Sequence, residues 1–86
     1  MKNRFLFHAL VEPAEEGGYI AICLDLDIVT EGRTEKEALK NLKEAVEMYV
    51  ESVFEEGDYS SLFRPAPKEY WDRAFRSKPR IDLISA

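Results

Sequence analysis

The chain has 86 residues, 45% of them hydrophobic, which allows one small domain with a packed core and argues against disorder. Its formal net charge is −5, unevenly spread: residues 1–63 hold six Lys/Arg against fourteen Asp/Glu, a balance of −8, and residues 64–86 hold six against three, a balance of +3. No apolar run approaches the roughly 20 residues of a membrane helix, and "MKNRFLFHALVEPAEE" lacks the small-residue cleavage site of a signal peptide, so a cytoplasmic protein is expected.

Taken along the chain, "RFLFHALVE" (4–12) alternates, with Phe5, Phe7, Ala9 and Val11 on one face and Leu6, His8 and Leu10 on the other. Such alternation predicts a strand. "PAEEGG" supplies turn residues, and "YIAICL", apolar on both faces, predicts a central strand paired with the first as an antiparallel hairpin. "IVTEG" predicts a short third strand ending at Gly32. Thr34 and Glu37 form a capping box that opens a helix running to about Glu56, with Gly57 as its stop. On a helical wheel Ala38, Leu39, Leu42, Ala45, Val46, Tyr49, Val50 and Val53 make one stripe, expected to pack on the hairpin. "DYSSLFRPAP" predicts a loop. "PKEYWDRAF" predicts a short helix that covers an open part of the core and buries Trp71, Ala74 and Phe75. "RIDLIS", with Ile81 and Leu83 alternating against Asp82 and Ile84, predicts a last strand at the sheet edge. The expected fold is one α+β domain over residues 1–86. It has a small antiparallel sheet of three to four strands packed on one long helix, in the order β-β-β-α-(short α)-β.

Few residues here suggest chemistry. Asp25 and Asp27 lie two apart, so within a strand they would share a face; the plainer reading is that they end the strand and expose the turn. Two such carboxylates can hold Mg²⁺, but a nuclease of the RNase H type needs three or four converging acids, and nothing in the sequence places Glu12 or Glu37 beside them. His8 has no second histidine for zinc and no evident nucleophile. Cys23, the single cysteine, forms no internal disulfide and reads as a small buried hydrophobe. No catalytic, metal-binding or cofactor-binding residue is expected, and no enzymatic activity.

The helix has a more informative outer face. Glu37, Glu44, Glu47, Glu51 and Glu55 lie opposite the apolar stripe, with Lys40 among them. Glutamates near a helix C-terminus oppose the macrodipole, and Glu47/Glu51 and Glu51/Glu55 are like-charge pairs at four-residue spacing. Such a face is either simply solvated or turned toward a basic partner. An acidic body does not suit nucleic acid, whose phosphates need positive charge. The basic tail can meet an acidic surface on its own chain or on a neighbour.

The pattern Gly18-Tyr19, an apolar strand, Asp25-Leu26, then Gly32-x-Thr34-x-x-Glu37-Ala38-x-x-Asn41-x-x-x-Ala45 resembles the HicB-like antitoxins over about residues 4–56. The likeness is to their N-terminal domain, a partial RNase H-like fold. The chain departs from that pattern at Leu24 and at Asp27-Ile28, where the family often has proline and proline-glycine, and it is expected to lack the family's C-terminal DNA-binding domain. The resemblance implies a non-catalytic cytoplasmic protein that self-associates and neutralises a small basic ribonuclease toxin of the HicA kind. The candidate partner-binding residues are Asp25, Asp27, Glu44, Glu47 and Glu51. The alternatives are a stand-alone oligomerising domain with a non-toxin partner and a metal-dependent nuclease using Asp25 and Asp27.

Overall fold

A computed structural model of the protein describes residues 6–58, 60, 62–76 and 80–85, the last six by their backbone alone. The elements run β1 (Leu6–Pro13), β2 (Tyr19–Cys23), β3 (Ile28–Gly32), α1 (Glu35–Glu56), α2 (Lys68–Arg76) and β4 (Arg80–Ser85). They form an α+β domain around one antiparallel sheet of order β3-β2-β1-β4. The expected order of elements holds, with β2 inside the sheet and β4 at an edge. Arg4 and Phe5, and the side chains of Ile81 and Leu83, lie outside the described residues.

The alternation of β1 divides the core in two. Phe7, Ala9 and Val11 face α1, where they join Ala21, Cys23, Leu26, Ala38, Leu42, Val46, Val50 and Val53. Leu10 faces the other way and joins Ile22, Leu24, Ala66 and Ala74, with Ile20, Tyr70 and Trp71 packed against them. The sheet is therefore covered on both faces, by α1 on the first and by α2 on the second. Cys23 lies in the first core with no exposure, and burial pushes its thiol up to about 11, so it stays neutral and inert at ordinary pH.

The helix-entry motif is explained by packing. Thr34 caps α1, its Oγ1 accepting the Glu37 N–H at 3.0 Å. Glu37 returns a bond one residue earlier than a standard capping box, to the Arg33 N–H at 2.8 Å. A Cβ on Gly32 would come within 2.3 Å of the Ala38 backbone nitrogen, so only glycine lets β3 run this close to the first turn of α1. Gly18, at φ +75°, fits against the Gly32 carbonyl, which a Cβ would approach to 2.7 Å. Asn41 then donates to the Glu31 carbonyl at 2.8 Å, and Thr30 Oγ1 donates to the Ala38 carbonyl at 2.9 Å. Gly32, Ala38 and Asn41 of the motif, with Thr30, thus bind α1 to β3, while Thr34 caps the helix.

Gly32→Ala tests this approach. The backbones must separate, and the expected loss is about 1–3 kcal/mol, typical of overpacking in a close-packed interior. Urea denaturation reads it as a lower midpoint at unchanged slope.

Candidate functional site

The turn from Leu24 to Asp27 does not continue the strand. β2 ends at Cys23, and the Asp27 N–H returns to the Cys23 carbonyl at 2.9 Å. Asp27 takes φ +57°, a left-handed conformation that Asp tolerates better than most residues, and it is exposed. Asp25 and Asp27 therefore do not share a strand face, because the chain reverses between them. The aspartates end the strand at a turn, as expected, and the shared face that a two-carboxylate metal site would need is not formed. Among the described residues no group of three or more His, Cys, Asp or Glu side chains is placed to hold a metal ion.

Asp25 turns inward and ties three segments together. Its Oδ1 accepts the His8 backbone N–H at 2.6 Å, and its Oδ2 faces His8 Nδ1 at 3.3 Å. Its own carbonyl accepts the Arg64 N–H at 3.0 Å, and the neighbouring Leu24 carbonyl accepts the Ala66 N–H at 2.7 Å. The segment before α2 is thereby fastened to the β2–β3 turn as it passes from the first core at Leu62 to the second at Ala66. A carboxylate offers only acceptors to His8, so this contact is a hydrogen bond in the His8 tautomer that carries its proton on Nδ1. The His8 ring also meets the Trp71 ring edge-on, 5.7 Å between centroids. His8 is thus held by Asp25 on one side and α2 on the other.

The remaining candidates stand elsewhere. Glu44, Glu47 and Glu51 are all exposed on the outer side of α1. No basic residue occupies the last turn of that helix, and among the described residues none of the three glutamates lies within ion-pair distance of a cation. Met48, 70% exposed, sits between Glu44 and Glu51 on that face. The structure does not bring Asp25 into the stripe, because its carboxylate is spent on His8.

One polar contact was legible only as a charge imbalance. Arg73 of α2 donates through Nε to Glu12 Oε2 at 2.9 Å and through Nη2 to Glu12 Oε1 at 2.7 Å. The bond from Glu12 holds the guanidinium above its ordinary value, and the same guanidinium lies over the Tyr70 ring, 4.6 Å from its centroid. Arg73 of the basic tail therefore finds an acidic partner on its own chain, in β1. Phe75, expected in the core, is 73% exposed, because it stands about 100° round the helix from the buried Ala74.

This geometry defines a small α+β domain with a helix on each face of its sheet and an acidic surface on the longer helix. The chain is 36% identical over 69 residues to the UPF0150 protein ssr1765 of Synechocystis sp., a match covering 79% of this chain and 80% of that protein. The chain belongs to the UPF0150 family. No model of a known protein family matches it, and no solved structure does. No helix among the described residues is long and apolar enough to cross a membrane.

The two aspartates are expected to behave oppositely. Asp25→Asn keeps an acceptor for the His8 N–H but sets an amide against Nδ1, and should lower stability by about 1.5–3 kcal/mol, the scale of a hydrogen bond to a charged group. Asp27→Asn should stay within about 0.5 kcal/mol of wild type. Thermal or urea unfolding of the two variants in one buffer distinguishes them.

Proposed function

We propose that this chain is an antitoxin-like binding protein of the HicB kind, which neutralises a small basic ribonuclease toxin by protein–protein contact and performs no catalysis itself. The observation that carries the reading is the outer face of α1. Glu44, Glu47 and Glu51 are exposed, none of them forms an ion pair within 4 Å with a cation of the described residues, Lys40 and Lys43 on the same helix included, and no basic residue stands in the last turn to offset the helix dipole. A face so arranged is unfavourable for the isolated chain and favourable beside a cationic surface. Met48 adds exposed apolar surface beside these glutamates, as a contact patch would use. The likeness of the Gly18-Tyr19 and Gly32-x-Thr34 pattern to HicB-like antitoxins supports the choice of partner, and membership of the UPF0150 family is compatible with it. Self-association belongs to the same reading, with exposed Leu6 and Val29 as apolar surface for a second copy.

The direct test is co-expression with a HicA-like protein from the same genome. Relief of that protein's growth arrest supports the reading. Undiminished arrest with both proteins expressed and folded overturns it. The triple variant Glu44→Gln/Glu47→Gln/Glu51→Gln should associate about tenfold more slowly at low ionic strength and with a flatter salt dependence, since steering charges act mainly on the on-rate. Stopped-flow association at two ionic strengths measures this, and equal rates at both would remove the stripe from the interface.

A further inference from the structure

The two faces of the sheet are covered on different terms. On the first, α1 contributes five buried residues and is bonded to β3 through Asn41 and Thr30. On the second, α2 contributes a single buried residue, Ala74, with Tyr70 and Trp71 half-buried. Leu10, Ile22 and Leu24 beneath it are almost without exposure, so removing α2 would uncover a continuous apolar surface. The polar fastening at the far end of α2 is the Glu12–Arg73 pair, whose side chains keep 20% and 43% exposure and so remain open to screening by salt. At the near end, Pro65 and Pro67 flank the backbone bond from Ala66 to Leu24. The groove beside the pair, about 680 Å³, carries Glu15, Glu16 and Glu31 besides Glu12.

We propose that the second face of the sheet is a docking surface for a basic, aromatic-bearing helix, and that α2 is its internal occupant, displaced when a partner helix of the same chemistry binds. The occupant is named by the contact already present. A helix of the acidic chain's own basic segment sits there, with an arginine in a carboxylate fork and a tyrosine and a tryptophan against the aliphatic floor. The surplus carboxylates of the groove favour a second cation beyond Arg73. This surface lies across the sheet from the glutamates of α1, and it stands whether or not a toxin meets them. Binding has to compete with α2, so the apparent affinity for a partner rises as the latch is loosened.

The test uses the full chain and a fluorescein-labelled synthetic peptide spanning residues 66–76, read by anisotropy. Trp71, the single tryptophan, reports the seat of α2 in the unlabelled protein. Arg73→Gln loosens the latch and should bind the peptide at least tenfold more tightly than wild type, with red-shifted Trp71 emission and an unchanged far-ultraviolet circular dichroism spectrum. Arg73→Lys, which keeps the charge and loses the fork, should fall between them and serves if Arg73→Gln does not fold. Glu12→Gln, which frees α2 and removes the socket together, should show the same emission shift with weaker peptide binding than Arg73→Gln. Raising salt should weaken the peptide's binding to Arg73→Gln. Peptide binding equal in wild type and the Arg73 variants, or absent from all, overturns the proposal, as does Trp71 emission that changes only on global unfolding.

Discussion

The close approach of β3 to the first turn of α1 at Gly32 is the constraint from which the rest of the structure follows. With no Cβ between them, the two backbones come within a distance that no other residue permits, and Gly18 fits against Gly32 from the hairpin side. The direction of α1 across the sheet is then set. Its apolar stripe meets Phe7, Ala9, Val11, Ala21 and Cys23, and its glutamates are turned outward. The acidic face is thus a consequence of a packing contact on the other side of the helix. The family-like motif secures the scaffold, and the glutamates proposed to meet a partner, Glu44, Glu47 and Glu51, are not among its residues.

The second half of the chain is organised by Asp25. Its carboxylate holds β1 at His8, its carbonyl holds the segment entering α2, and the Leu24 carbonyl beside it holds that segment again one step later. These bonds carry the chain round the end of the sheet and lay α2 on the face opposite α1. The result is an asymmetric sandwich. One face is closed by a 22-residue helix tied to its neighbouring strand, the other by a 9-residue helix held by a partly exposed ion pair. Both proposed binding surfaces follow from this asymmetry, the acidic side of the fixed helix and the floor beneath the lightly held one.

Much of the fold was legible from residue pattern because it depends on periodicity. The alternation Phe7-Ala9-Val11 against Leu10, and the spacing Ala38-Leu42-Val46-Val50-Val53, each have one solution that buries the apolar set. Features that depend on where a single side chain turns were less visible. That Asp25 and Asp27 end the strand was readable, but the left-handed conformation of Asp27 and the inward turn of Asp25 to His8 were not. Phe75 looks like a core residue by type, but a helix this short buries one narrow stripe, and Tyr70, Trp71 and Ala74 fill it. The Glu12–Arg73 pair spans 61 residues, and local pattern carries no information at that range; only the opposite charge of the two halves hinted at it.

Native-state hydrogen exchange followed residue by residue tests the claim that the two faces are closed on unequal terms. The amides of α1 and of β1–β3 are expected to exchange only through global unfolding. The amides of α2 should exchange through a local opening of distinctly lower free energy, lowered further by added salt. If the amides of α2 show the same opening free energy as those of α1, and the same insensitivity to salt, the domain is closed equally on both sides and the account is wrong.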